Sequence, residues 1–266
     1  MRRCGLKTSL SAEDGPEDEI ERLRQALDAE TRTCAEVQGQ LDRANAEFEA
    51  FVSTAAHDLR EPLRDVATCS QLMAESYAGR LDSDAGVYLG RIQEGVARMQ
   101  SLLAGVVDYW TADAGGGQPA PTDMEAVLRQ ALLSADRLIT ERGAIVTHIP
   151  LPSVTGDFDM LTKVMRHLIG NAIEYCGALP PRVHISAKPQ DLEWVFSVQD
   201  NGPGIEPAFQ NRIFGAFKRL HGKEHPGNGL GLAFCRKAIE WHGGRMWMES
   251  ALGAGSTFYF TLPSAE

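Results

Sequence analysis

From Ile20 to Ala55, apolar residues return every three or four positions: Ile20, Leu23, Leu27, Cys34, Val37, Leu41, Ala44, Phe48, Phe51 and Ala55. Glu30 is the misfit in the row. An α-helix turns once in about 3.6 residues, so a 3.5-residue repeat held this long keeps one apolar stripe on one side of a continuous helix. Such a stripe has to be covered. A lone amphipathic helix would lay it on its own domain, but no other segment of this sequence is free to cover so long a seam. The repeat therefore predicts a coiled coil with a partner helix from a second copy of the chain.

The helix should run on to about Tyr77, with Pro62 interrupting it and producing a kink or bulge near residues 58–62. A turn follows over residues 78–84. Ser83 or Asp84 can cap a second helix bearing Val87, Ile92, Val96, Met99, Leu102, Leu103 and Val106. Two such hairpins, one from each chain, make a dimeric four-helix bundle. Residues 113–121 hold three glycines and two prolines and read as a linker. Beyond it helical periods cover 123–140 and 157–176. Strand-like alternation covers 182–187, 193–199, 245–249 and 256–261. A Gly/Pro-rich stretch fills 201–231, and another helix runs from about 230 to 241. That order suggests one sheet with helices on one face, an α+β two-layer sandwich. The expected domains are a flexible lead-in over 1–16, a coiled coil over 17–45, a helical hairpin over 46–112, the linker, and the sandwich over 122–263.

Composition narrows the function. With 43% apolar and 23% charged residues the chain has material for a core, and its net charge of −10 argues against a dedicated nucleic-acid binder. Five scattered cysteines, never in a C-x-x-C pair, exclude a disulfide framework and a thiolate zinc site, and fit a reducing cytoplasm. No stretch approaches 18 consecutive apolar residues, so no membrane span is expected. Arg2 and Arg3 lack a following apolar run, which excludes a secretory signal there.

Three constellations carry chemistry. His57 falls off the seam, facing solvent, with Asp58 beside it in His57-Asp58-Leu59-Arg60-Glu61-Pro62-Leu63. An exposed imidazole oriented by a carboxylate can act as a nucleophile. A second group is Asp200-Asn201-Gly202-Pro203-Gly204-Ile205 after a strand, then Gly227-Asn228-Gly229-Leu230-Gly231 opening a helix. Glycines let backbone approach phosphates, and a helix start offers free N–H donors. The glycines come too late for a dinucleotide fold, and no Walker A lysine is present. The third group is one helix face with His167, Asn171, Glu174 and Tyr175, where an amide oxygen can hold a divalent cation. Taken alone, that face reads better as a buried helix with a hydrogen-bonded Asn. His221 and His225 lie in a loop with no evident third ligand. Cys69 and Cys176 read as small packing residues, and Trp241, Trp247 and Phe258 as core.

Together these motifs resemble the sensor histidine kinases. Residues 46–112 are similar to their dimerisation and phosphoacceptor domain, in the version found in phytochrome-like kinases. Residues 121–263 resemble the Bergerat-type ATP-binding domain of the gyrase, chaperone, kinase and MutL superfamily. Asn171 matches the N box; Asp200, Gly202 and Gly204 the G1 box; residues 213–221 the F box; Gly227, Gly229 and Gly231 the G2 box; residues 255–258 the closing motif. The resemblance implies that His57 is phosphorylated from ATP, with Asp58 assisting, and passes the phosphoryl group to an aspartate on a response-regulator receiver domain. It implies that Asp200 takes the adenine amino group and Ile205 packs on the ring. Asn171 holds Mg²⁺. Tyr175, Phe217, Lys218, Arg219, Leu230 and Thr257 complete the nucleotide site, and residues 203–228 form a lid. The seam and hairpin predict a homodimer through residues 17–112, with an upstream sensor domain or protein acting through the coiled coil. Three residues depart from the family pattern: His167 stands where Asn is usual, Glu174 where Lys is frequent, and Glu61 where phosphatase-competent kinases carry Thr or Asn. His167 also replaces the water-activating Glu of the superfamily's hydrolases, which favours transfer to His57 over hydrolysis. The other readings are a non-catalytic ATP-binding scaffold or switch with a coiled-coil partner, and an ATP-hydrolysing machine of the same superfamily.

Overall fold

The computed structural model describes residues 16–78, 83–112, 118–177, 179–218 and 229–265. The predicted lead-in, except Pro16, and Arg219, His221, Lys223, His225 and Gly227 lie outside the described residues. The first helix, α1, spans Pro16–Ser76 and is 61 residues long. It stays α-helical through Pro62, so the expected interruption is not there. The proline removes a single N–H donor, and the turns on either side hold the helical path. The second helix, α2, spans Ser83–Thr111 with Asp84 in its first turn, where a negative charge suits the helix dipole.

The chain divides into two compact units, residues 1–50 and 51–266. In the first, the stripe residues Ile20, Leu23, Leu27 and Val37 are all exposed. In the second, Val52, Ala56, Leu89 and Val96 are the buried apolar positions of the helical part. Phe51, Leu59, Val66, Leu72, Ile92, Met99 and Leu102 remain exposed.

The sandwich starts with β1 (Ala120–Asp123), which takes the last two residues of the predicted linker. It pairs antiparallel with β3 (Ser153–Gly156) as a separate two-stranded sheet. Helix α3 (Met124–Arg142) lies between them in sequence. Asp123 caps it, accepting the Glu125 N–H at 3.0 Å, and Gly143 at φ +60° closes it. Strand β2 (Ile145–His148) precedes β3. Helix α4 (Phe158–Glu174) is capped by Asp157, whose carboxylate accepts the Met160 N–H at 2.7 Å. Strands β4 (Arg182–Gln190) and β5 (Glu193–Asp200) follow, then the short helix α5 (Pro207–Gln210) and helix α6 (Gly231–Trp241). Strands β6 (Met246–Ala251) and β7 (Gly255–Pro263) end the fold. The main sheet runs β2-β4-β5-β7-β6, with β2 parallel to β4 and the other pairs antiparallel.

Alternation along the strands sends Val183, Ile185, Phe196, Val198, Phe258, Phe260 and Leu262 into one core. Phe196 and Phe260, opposite each other across β5 and β7, stack with ring centres 5.0 Å apart. Helix α4 packs on β4 and β5, α6 on β6 and β7, and α3 on α4. This is the expected two-layer arrangement. Strands β1, β2 and β3, each four residues long, were not anticipated from the sequence, nor was α5.

Candidate functional site

Helix α4 buries Met160, Leu161, Val164, Met165, Leu168, Ile169, Ala172 and Ile173. The 3.6-residue period that buries those residues leaves His167, Gly170, Asn171 and Glu174 for the other side. There they line a cavity of about 450 Å³. The opposite wall comes from Asp200 at the end of β5, the loop Pro203–Ile205, and Ser256 and Phe258 of β7. Lys218, Gly229, Gly231 and Leu232 form its edge beside the start of α6. Five parts of the sequence more than 80 residues apart at the extremes therefore meet at one hollow.

Asp200 is held in place by its surroundings. Its Oδ1 accepts the Gly202 N–H at 2.8 Å and the Ser256 N–H at 3.0 Å. Burial pushes the carboxyl up from its ordinary range, and the two N–H donors pull it back. The next loop is pinned through Ile205, whose N–H donates to Ser250 Oγ at 2.8 Å and whose carbonyl accepts from Gln210 Nε2 at 3.2 Å. Gly204 is required by its geometry. Its φ is +76°, and a Cβ there would collide with the Ala251 carbonyl oxygen.

His167 is the unusual group on the α4 wall. Burial, then the neighbouring Arg166, pushes its imidazole down to about 4, against the pull of Asp108. Its Nε2 has no hydrogen-bond partner among the described residues. Burial raises the Glu174 carboxyl, opposed by Arg142.

Of the residues singled out in the sequence, Asn171, Tyr175, Asp200, Gly204, Ile205, Lys218, Gly229 and Gly231 line the cavity. Gly202 stands behind Asp200, where a Cβ would come within 2.9 Å of its Oδ1. Leu230 is buried outside the lining, and its second neighbour Leu232 is in it. Phe217 is exposed, at φ +59°, and is not part of the wall. Thr257 does not line the cavity. Strand alternation turns Thr257 and Tyr259 to one face and Ser256 and Phe258 to the other, so Ser256 lines the cavity instead. Phe258 is core, as expected, and lines the cavity as well. Cys176 is buried, as a packing residue should be, whereas Cys69 is exposed. Among the described residues no cluster of three His, Cys, Asp or Glu side chains stands ready for a metal.

Sequence reasoning missed the contribution of α2. Ser101 lines the cavity, and the end of the helix docks on the sandwich. Asp108 receives Lys163 at 2.7 Å and Arg166 at 3.9 Å. Lys237 donates to the Tyr109 carbonyl at 3.1 Å and sits 4.7 Å above the Tyr109 ring. No periodic signal announces such contacts, because they join surface charges of separate elements.

His57 lies on α1 with its side chain 81% exposed, and Asp58 beside it is 73% exposed. Nδ1 faces the Asp58 carboxylate at 3.5 Å, an orienting contact at the outer limit of a hydrogen bond. Glu61 is exposed on the same helix. No helix among the described residues is long and apolar enough to cross a membrane.

Two family models match this chain. A family model described as the His Kinase A (phospho-acceptor) domain matches residues 49–115. Another, described as the histidine kinase-, DNA gyrase B-, and HSP90-like ATPase, matches residues 156–266. The chain is 44% identical over 230 residues to cyanobacterial phytochrome A of Nostoc sp., a match covering 86% of this chain and 30% of that protein. It is 40% identical over 230 residues to phytochrome-like protein Cph1 of Synechocystis sp., covering 86% and 31% respectively. The chain thus spans about a third of the length of these relatives. Among solved structures, full-length ShkA in complex with AMPPNP superposes with a TM-score of 0.63 at 28% identity, covering 80% of this chain and 46% of that one.

Proposed function

Because the chain belongs to the histidine kinases, we propose that it is an ATP-dependent protein histidine kinase of a two-component system. In this reading it takes the γ-phosphoryl group of ATP onto His57 and passes it to an aspartate of a response-regulator receiver domain. The observation that carries the reading is the pairing of an exposed, carboxylate-flanked imidazole with a separate glycine-walled cavity that contains Asp200 and Asn171. The long exposed apolar stripe supports a homodimer through the helices.

In this reading Asp200 accepts the amino group of adenine, which the fixing of its Oδ1 by two backbone donors and the further acceptor capacity of its carboxylate support. Ile205 and Phe258 offer apolar surface to the ring. Lys218 brings positive charge to the edge where the phosphates would lie. Asn171, an amide oxygen on the cavity wall, and His167, whose Nε2 has no partner among the described residues, are a donor set that fits a divalent cation. Such an ion, when bound, neutralises charge on the phosphate oxygens.

The nucleophile needs little activation. Asp58 engages the Nδ1 side of His57, which leaves Nε2 to attack the γ-phosphorus. A P–N bond forms, the bond from phosphorus to the bridging oxygen breaks, and ADP leaves with that electron pair. The imidazole proton passes toward the Asp58 carboxylate or to solvent. Receipt by a second protein is consistent with the exposure of His57.

The test is labelled ATP with Mg²⁺ and the full chain. Label should appear on protein, acid-labile and base-stable, and His57→Gln should abolish it while nucleotide binding stays within about twofold, because the nucleophile and the cavity are built by different residues. Undiminished label on the variant would sink the assignment. Steady phosphate release without phosphoprotein would point to a hydrolase instead.

A further inference from the structure

His167 and Asn171 stand one helical turn apart on α4 and line the same cavity. Residues at i and i+4 share a helix face, with Cβ atoms about 5–6 Å apart. One offers an imidazole nitrogen and the other an amide oxygen. The His167 ring is confined from two sides. Phe234 meets it edge-on at 5.5 Å, and Gly231 leaves it room, since a Cβ there would come within 3.1 Å of Nδ1. Its Nε2 is buried with no hydrogen-bond partner among the described residues. Buried polar atoms in native folds are nearly always partnered, so an orphan beside a ligand cavity points to a partner that arrives with the ligand.

We propose that His167 gives an imidazole nitrogen to the divalent cation that accompanies the nucleotide, beside the Asn171 oxygen, and that the site therefore favours first-row transition-metal ions over Mg²⁺. The inference rests on the reading of this cavity as a metal–nucleotide site. Mg²⁺ demands a near-octahedral set of oxygens and gives up its waters reluctantly. Imidazole nitrogen suits transition metals, so exchanging an oxygen ligand for His167 penalises Mg²⁺ and not its competitors. Phosphoryl transfer itself is unchanged in kind; what changes is which ion the chain loads with ATP.

The full chain and AMPPNP, a non-transferring ATP analogue, make the test independent of turnover. Calorimetric titration in Mn²⁺ and in Mg²⁺ should show tighter binding with Mn²⁺, and His167→Asn should shrink the Mn²⁺-over-Mg²⁺ ratio by about tenfold. Pulsed electron paramagnetic resonance of the Mn²⁺–AMPPNP complex, on chain carrying ¹⁵N-labelled histidine, should show coupling to a histidine nitrogen that His167→Asn removes. The spectrum of the unsubstituted chain stands even if the variant fails to fold. Mn²⁺ bound with AMPPNP but without histidine coupling, or with coupling that persists in the variant, overturns the proposal and leaves the nucleotide site standing. Failure of AMPPNP to bind with either ion overturns the nucleotide reading and the proposal with it.

Discussion

Phe260, on β7, is fully buried against Phe196, whereas Phe51, on α1, exposes 66% of its surface. The contrast extends along both regions. Met124, Leu161, Ile169, Ile185 and Ile239 are sealed inside the sandwich, while Leu23, Leu27, Val37, Phe48 and Leu72 of the long helix face outward. A sheet with helices on one face closes its own core. Along the long helix the stripe residues Ile20, Leu23, Leu27 and Val37 stay exposed, as expected of a seam that a second copy of the chain would cover. The largest effect that should separate the two regions is therefore on folding. Phe260→Ala should cost about 3–5 kcal/mol, since it leaves a cavity in a packed core. Phe51→Ala should leave the unfolding midpoint of the sandwich unchanged. Urea titration of the full chain, followed by tryptophan fluorescence, reads both. Equal losses would mean that the exposed phenylalanine is covered within one chain.

A smaller effect should appear on assembly. Leu23→Ala together with Leu27→Ala removes two exposed seam residues from each chain. Each buried leucine is worth about 1.5–3 kcal/mol relative to exposure, so the dimer should weaken by at least tenfold in dissociation constant. Light scattering across a dilution series checks this, with the sandwich still unfolding at its usual urea midpoint. A dimer indifferent to both substitutions would move the interface elsewhere and remove the reason for the contrast.

The same contrast decides what was legible in the sequence. The long helix was readable because a 3.5-residue repeat over 36 positions is hard to produce otherwise. Strands β4, β5 and β7 were readable because one face is apolar and the period is two. Strand β2, with no fully buried position, gave no alternation, and β1 lay hidden in a Pro-Ala-Pro stretch that reads as linker. In the site, Asp200, Gly204 and Gly231 could be found because backbone geometry and helix starts demand those residue types. Thr257 is absent from the cavity lining because a four-residue motif does not say which of its side chains faces inward, and the strand turns Ser256 that way. Ser101 was out of reach. Its place at the cavity depends on how α2 docks, through Asp108, Lys163 and Lys237, and spacing along the chain carries no record of that.

The smallest predicted effect tests how tightly the sandwich is closed. His242 ends α6 and is 7% exposed. Its Nε2 accepts the Asp157 N–H at 2.9 Å, and Nδ1 is 2.6 Å from the Ala238 carbonyl oxygen, which can only accept. These two contacts fix one neutral tautomer, with the proton on Nδ1. A second proton on Nε2 would point at the N–H of Asp157, a donor against a donor. Burial accordingly lowers the affinity of the ring for protons, against weaker upward pulls from the Ala238 carbonyl and Asp157. The unfolded chain takes up that proton near pH 6.5, while the folded chain resists it until lower pH. Unfolding thus absorbs a proton in that window, so the stabilisation is complete above about pH 6.5 and drains away as pH falls toward the folded value. His242→Gln removes the titration. At pH 7.5 the variant should be less stable by about 1–2 kcal/mol, through the disturbed bonds to Asp157 and Ala238. Between pH 7.5 and 5 it should lose less stability than the parent chain does. Contributions from Asp200, Glu174 and His167 are common to both chains and cancel in the difference. Urea midpoints at half-unit pH steps give the two slopes. Parallel slopes would show that the ring can turn and accept its proton within the fold, which a sealed α6–α4 junction does not allow.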